Sequence, residues 1–470
     1  MEDSRNHKKK QAIDGEEEEE DRISSLPDSI LHEILSSMDD LKSAVQTSAL
    51  SKRWRYVWTS LPNLHVDFDE FPFPDSDSNE ANRLRFLHFV NQFLSLRDDD
   101  SNLCKFYFLA KYCDDPSFIT NCIHYAIHHN VQEFHLWAAC VAEPFEFPPC
   151  FFNSESLKSL KLVYFYKSVP IDKPLCFQGL KTLHLSCFLD DSANFVTESV
   201  GNCPNLETLI LDYLQLRCFK ITAPKLRKLE LCYHERCISD SYESVIVVSA
   251  PRLTSFKLKG KVSPVFSTMG LPSMDDLCVD LRFPSDANIE QTVPVNVINM
   301  LAQLGEANSL TLSLGTLEVL AMDTDSLKSH PSPFHKLKHL KLIAKEFLEE
   351  DTSPTLTLPL NVITYLTRGS SCGDTLFMKF SRVEHQKDCP ICSHEIGSEF
   401  CIYILLTESC FKYFDVITDC AVIARRHRRF LGNLARSLQP EQCESSKYIF
   451  GTWALVVLVY VLAFEFVLHG

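Results

Sequence analysis

The sequence predicts a mixed α/β protein: a three-helix unit followed by an irregular solenoid whose strands line up in one curved parallel sheet. Two observations carry this. A short segment near the N-terminus is crowded with apolar residues at helical spacing, and a six-residue apolar pattern then recurs from residue 103 to 274 at intervals of 20 to 28 residues. The 470 residues suffice for two or three domains and a large core.

The first unit spans 21–67. Leu26-Pro27-Asp28 opens a helix, with proline where a missing N–H costs nothing. Ile30, Leu31, Ile34, Leu35 and Met38 then form one apolar stripe. A second short helix fits Leu41 to Ser48, capped by Asp39 or Asp40. Ser51 can cap a third, with Trp54, Val57 and Trp58 on one side and Lys52, Arg53 and Arg55 on the other. So small a unit cannot cover all these side chains, and the surplus, including Leu26, Pro27, Ile30, Ile34 and Trp58, predicts an apolar patch for a partner.

Residues 68–82 are acidic and punctuated by proline, which reads as a linker. Leu84, Leu87, Val90 and Leu94, flanked by Phe86 and Phe93, predict an amphipathic helix ending at Asp98. A strand follows at 103–109, a helix from Asp115-Pro116 that Asn130 can end, and a strand at 131–137.

The pattern L-x-x-L-x-L is clean as LKSLKL at 157–162, LKTLHL at 180–185, LETLIL at 206–211 and LRKLEL at 226–231. Looser copies are LTSFKL at 253–258, MDDLCV at 274–279 and LKHLKL at 337–342, and the stretches from 103 and 131 fit the same frame. Successive starts from 103 to 274 step by 28, 26, 23, 26, 20, 27 and 21 residues, the leucine-rich-repeat period. Proline recurs just before the strand in NCPNLETL, TAPKLRKL, SAPRLTSF and GLPSMDDL, where it sets a turn without disturbing the ladder. The solenoid so predicted covers 83–345, with a helix at Asn296–Leu304 and a degenerate strand at Ala307–Leu312.

Side chains alternate along a strand, so the fourth and sixth pattern positions face the core. The residues beside them face the opposite, concave side: Ser159 and Lys161, Thr182 and His184, Thr208 and Ile210, Lys228 and Glu230, Ser255 and Lys257, Asp276 and Cys278. An open row of this kind is a binding surface. The residues expected to meet a target are Lys161, His184, Ile210, Lys228, Glu230, Lys257 and Asp276.

The segments LPDSILHEILS, VQTSALSKRWRYVW and LPNLHVDF, in that order, closely resemble the F-box of plant F-box/leucine-rich-repeat proteins. The resemblance implies docking of a Skp-type adaptor and, through it, a cullin ubiquitin-ligase core. It maps the adaptor-facing positions onto Leu26, Pro27, Ile30, Leu31, Ile34, Leu35, Leu50 and Trp54. FHKLKHLKL followed by LNVITYL resembles the start of the C-terminal FBD region of such proteins, here 346–440.

A formal charge of −16 argues against nucleic acid, whose phosphates need clustered Lys and Arg, and leaves protein partners as the expectation. The charged run at 1–20 reads as a solvated tail, and 19 scattered cysteines read as reduced, mostly buried thiols of a cytosolic or nuclear protein. There is no Walker loop and no dinucleotide fingerprint, so no cofactor and no catalytic residue is expected. Cys389-Pro390-Ile391-Cys392, with His385, His394 and Cys401 nearby, has the gap of half a zinc knuckle but no second pair at a firm spacing, and is read as thiols rather than a metal site. Gly369-Ser370-Ser371-Cys372-Gly373 matches a hydrolase elbow in letters but lacks its strand–turn–helix setting. Residues 448–468 are almost uncharged and are preceded by Arg425, Arg426, Arg428, Arg429, Arg436 and Lys447, which fits a C-terminal membrane anchor; a buried closing strand or helix is the other reading.

Overall fold

The computed structural model describes residues 23–385 and 395–405, apart from 39, 72, 74–78, 111–114, 139–144, 165–172, 190–192, 215–217, 234–244, 261–264, 269–270, 272–273, 282–291, 346–358 and 369–374. The charged tail, the Gly-Ser motif at 369–373, the Cys389–Cys392 pair and the apolar stretch at 448–468 therefore lie outside the described residues.

The N-terminal unit begins with α1 (Asp28–Ser36), which follows directly on Pro27. Helix α2 (Leu41–Gln46) is capped by Asp40, whose carboxylate accepts from the Ser43 amide at 2.8 Å and the Ser43 hydroxyl at 2.7 Å. The third helix expected from Ser51 is instead a run of turns and a 3-10 turn at Val57–Ser60. Two causes are visible. The stretch is rich in aromatic residues that lose rotamer freedom in a helix. The Val57 carbonyl, in turn, is held by His32 Nε2 at 3.2 Å.

The rest of the chain lays down β1 (Asn63–Asp67), α3 (Asn79–Ser95), β2 (Lys105–Leu109), α4 (Pro116–His128) and β3 (Glu133–Trp137). There follow β4 (Ser159–Tyr164), β5 (Thr182–Leu189), α5 (Ala193–Gly201), β6 (Thr208–Leu214), β7 (Cys218–Thr222) and β8 (Lys228–Tyr233). Then come β9 (Val245–Ser249), β10 (Ser255–Gly260), β11 (Val265–Thr268), β12 (Met274–Leu281), α6 (Thr292–Gln303) and β13 (Ala307–Ser313). Last are α7 (Leu314–Met322), α8 (Thr324–Ser329), β14 (His339–Lys345), α9 (Leu360–Thr367), β15 (Thr375–His385) and β16 (Glu395–Leu405).

One curved sheet of 13 strands runs β1-β2-β3-β4-β5-β6-β8-β10-β12-β13-β14-β15-β16. Every neighbouring pair is parallel except β15 and β16. The strand β1 comes from the exit of the N-terminal unit, so that unit leads into the sheet without a break in the ladder. The pattern leucines stack in register on one face: Leu160 pairs with Leu183, Leu183 with Leu209 and Leu209 with Leu229, all fully buried.

Three of the four prolines expected to set turns before strands do so, and Pro272 lies outside the described residues. The Leu206 amide donates to the Cys203 carbonyl at 3.1 Å, Leu226 to Ala223 at 3.2 Å and Leu253 to Ala250 at 3.0 Å. Each is a turn with proline second (Pro204, Pro224, Pro251), where its fixed φ suits the bend. Just upstream, β7 and β9 pair with each other and β9 with β11 in a second parallel sheet of three strands. The leucine frame gave no hint of it.

Three other expectations change. Leu84 is 57% exposed, and α3 buries the flanking Phe86 and Phe93 with Val90 of the expected stripe, while Leu87 and Leu94 are partly buried. In the stretch after β1 expected as a linker, Phe68 and Phe71 pack on Phe86, Phe71 also on Phe89, and Phe73 on Phe68 and Phe71. Of the eight cysteines whose side chains are described, all free thiols, only Cys122 and Cys203 are buried.

Candidate functional site

Two surfaces stand out. The first is on the N-terminal unit. Of the residues assigned to the adaptor, Pro27, Ile30 and Leu50 are exposed, Leu50 by 69%, while Leu26 and Ile34 are half-buried. Leu31, Leu35 and Trp54, also assigned to the adaptor, are at most 3% exposed and lie in the core of the unit. Trp58 is likewise buried, packed on Phe93 with ring centroids 5.3 Å apart.

Polar contacts tie the segment after Leu50 to the start of α1. The Arg53 guanidinium donates to the Leu26 carbonyl at 2.7 Å and to Asp28 Oδ1 at 2.6 Å, and the Ser24 and Ser51 hydroxyls are 3.1 Å apart. Leu50 is thereby fixed beside the Leu26–Asp28 corner. Ile23 and Tyr56, 58% and 67% exposed, are further large exposed side chains of the unit. The helical period points to neither, since both lie outside the regular helices.

The second surface is the sheet face opposite the leucine core. Strand pairing aligns its middle row as His65, Tyr107, His135, Lys161, His184, Ile210, Glu230, Lys257 and Cys278. A flanking row runs Ser159, Thr182, Thr208, Lys228, Ser255 and Asp276. All seven residues assigned to target contact are thus on one face, in two adjacent rows.

Much of this face is internally paired. His184 Nε2 and Asp212 Oδ2 are 2.5 Å apart. Glu230 meets Lys228 at 2.7 Å and Lys257 at 3.5 Å. Burial alone would raise the Glu230 carboxyl, but the two lysines outweigh it and hold it below the usual carboxylate range. Burial opposes the Asp212 charge too, and the His184 contact overcomes it. Burial pushes the Cys278 thiol up to about 11 and raises Cys232 as well, so neither is a ready nucleophile. His65, Asp67 and Glu70 are the one group of ligand-type side chains that converge among the described residues, with His65 already on Glu70 at 3.1 Å.

A helical unit displaying an apolar corner, fused to a parallel solenoid with an open polar face, defines an F-box/leucine-rich-repeat protein. The F-box domain model matches residues 23–65, and the model for the LRR repeats of the FBD-associated F-box protein At5g56370 matches 119–270. F-box/LRR-repeat protein At4g14103 of Arabidopsis thaliana is 27% identical over 77% of this chain and 97% of its own length. F-box/FBD/LRR-repeat protein At5g22700, from the same plant, is 30% identical over 67% of this chain and 70% of its own. The chain belongs to the plant F-box/FBD/LRR-repeat family.

Proposed function

We propose that the chain is the substrate receptor of a Skp/cullin/F-box ubiquitin ligase, acting in the cytoplasm or nucleus. The apolar corner of Pro27, Ile30 and Leu50, with Leu26 and Ile34 beside it, docks the Skp-type adaptor. The concave sheet face holds the target protein. Catalysis is then proximity: the receptor raises the effective concentration of a target lysine near a conjugating enzyme carried by other subunits. The chain needs no catalytic residue of its own.

The observation that carries the reading is the exposure of Leu50 on a unit whose own core is already closed by Leu31, Leu35 and Trp54. Large apolar side chains held in water by fixed polar contacts mark a surface meant to be covered. Co-expression of the full chain with a Skp-type adaptor and a cullin is the test. All three should elute as one complex, and the chain should lose the cullin when the adaptor is left out. A chain that elutes alone beside every adaptor tried leaves only the alternative, a repeat scaffold with no ligase role.

A further inference from the structure

The concave face is divided in polarity, and the division falls at β4. Over β2–β4 the residues facing out are Tyr107 and Leu109, His135 and Trp137, then Lys161 and Val163. From β5 onward they are mostly polar or charged: His184 and Ser186, Ile210 and Asp212, Glu230 and Cys232, Lys257 and Lys259. The rings of the first part pack edge to face, with centroids 6.1 Å apart for His65–Tyr107 and 5.7 Å for Tyr107–His135. Burial, seconded by Lys161, lowers His135 to about 3, so it is a neutral ring at physiological pH.

Lys161 stands on the border. Lys105 is on Glu133 at 3.1 Å, and Lys228 and Lys257 share Glu230, whereas Lys161 makes no ion pair among the described residues. Asp212, whose carboxylate feels the Lys161 charge, is hydrogen-bonded to His184. A half-buried lysine with no ion pair among the described residues, beside an aromatic patch, is complementary to an anion attached to something apolar.

We propose that this end of the face takes an extended peptide segment of the target that places an aromatic or large aliphatic side chain on Tyr107, Leu109 and Trp137 and an anionic side chain, carboxylate or phosphate, on Lys161. Lys161 is one strand from Trp137 and two from Tyr107, roughly 5 to 10 Å across the sheet. At roughly 3.3 Å per residue the two anchors of the peptide are two or three residues apart. The inference rests on the receptor reading for its biology but not for its chemistry.

The test is a random displayed peptide library selected on the immobilised full chain, followed by labelled versions of the enriched peptides. Enriched sequences should carry Asp or Glu two or three residues from an aromatic or large aliphatic residue. Their affinity should fall by at least roughly tenfold in Lys161→Glu and in Tyr107→Ser, and a peptide with the acid changed to lysine should regain binding to Lys161→Glu. Replacing the acid by phosphoserine distinguishes the two anion sources: tighter binding assigns phosphate, weaker binding carboxylate. Enrichment without an acid, no enrichment over the Lys161→Glu chain, or binding lost in Lys257→Glu but kept in Lys161→Glu would overturn the proposal. The adaptor complex reports separately, so failure of the peptide site and failure of the receptor reading are distinct results.

Discussion

Gly260 closes β10 with φ at +132°, a conformation that L side chains rarely adopt. A Cβ built there would lie 2.5 Å from the Tyr233 carbonyl oxygen and 2.7 Å from Tyr233 Cβ, on the adjacent strand β8. Gly260→Ala therefore meets two penalties. Holding a non-glycine residue at this φ costs about 1–3 kcal/mol. The clash is with backbone and Cβ, which cannot swing aside, and overpacking of this kind costs about 1–3 kcal/mol more. The lost unfolded-state entropy of alanine returns about 1 kcal/mol at most, so the net cost is about 1–5 kcal/mol. Gly201, at the end of α5, is the control, because nothing lies within 4 Å of its Cβ and it has no positive φ. Gly201→Ala should be neutral or slightly stabilising. In a stacked repeat array the damage should be local, so the assay pairs thermal melting with hydrogen exchange of β8 and β10. Gly260→Ala should melt earlier and exchange faster in those strands. If its melting and exchange match those of Gly201→Ala, the close-approach argument is wrong.

Three further outcomes test other parts of the account. Ile30→Asp should leave the melt unchanged and weaken adaptor binding by roughly 100-fold or more, whereas Leu31→Asp, one residue on but 0% exposed, should unfold the N-terminal unit outright, as circular dichroism and co-purification will show. Asp40→Ala removes both cap bonds of α2 and should cost about 1 kcal/mol in denaturant unfolding, with Asp40→Asn or Asp40→Ser restoring most of it. His135 has its folded pKa lowered, so its contribution to stability is fully present above the unfolded value near 6.5 and is lost as pH falls from there toward about 3. The melting temperature should accordingly drop between about pH 6.5 and 5, and His135→Phe should flatten that slope.

The repeat was legible because its signal is periodic and redundant. Leu160, Leu183, Leu209 and Leu229 each occupy the same pattern position, and one register satisfies them all. Proline before the strand was equally readable, since its φ is fixed wherever it occurs. What the sequence could not resolve was which neighbour in a wide apolar stripe faces inward. Ile30 and Leu31, and again Ile34 and Leu35, differ by one helical step, and only packing against Trp54 and Val57 decides that Leu31 and Leu35 are core. The same ambiguity exchanged Leu84 for Phe86 on α3. The second sheet was missed for a different reason. Strands such as VIVVS in β9 have no leucine frame and pair only through their place in the superhelix. The divided polarity of the concave face lay in the letters at Tyr107, Trp137 and Lys161, but their adjacency emerges only once the strands are in register.

The central claim is that the apolar corner of the F-box exists to be covered by an adaptor. The most direct test measures the affinity of the full chain for a Skp-type adaptor by titration calorimetry, alongside Leu50→Asp. Leu50 is 69% exposed, so the substitution spares the fold and puts a charge where the adaptor must sit. The account predicts a one-to-one complex for the unaltered chain and none for Leu50→Asp at the same concentrations, with identical melting curves for the two free chains. Equal binding by both would contradict it.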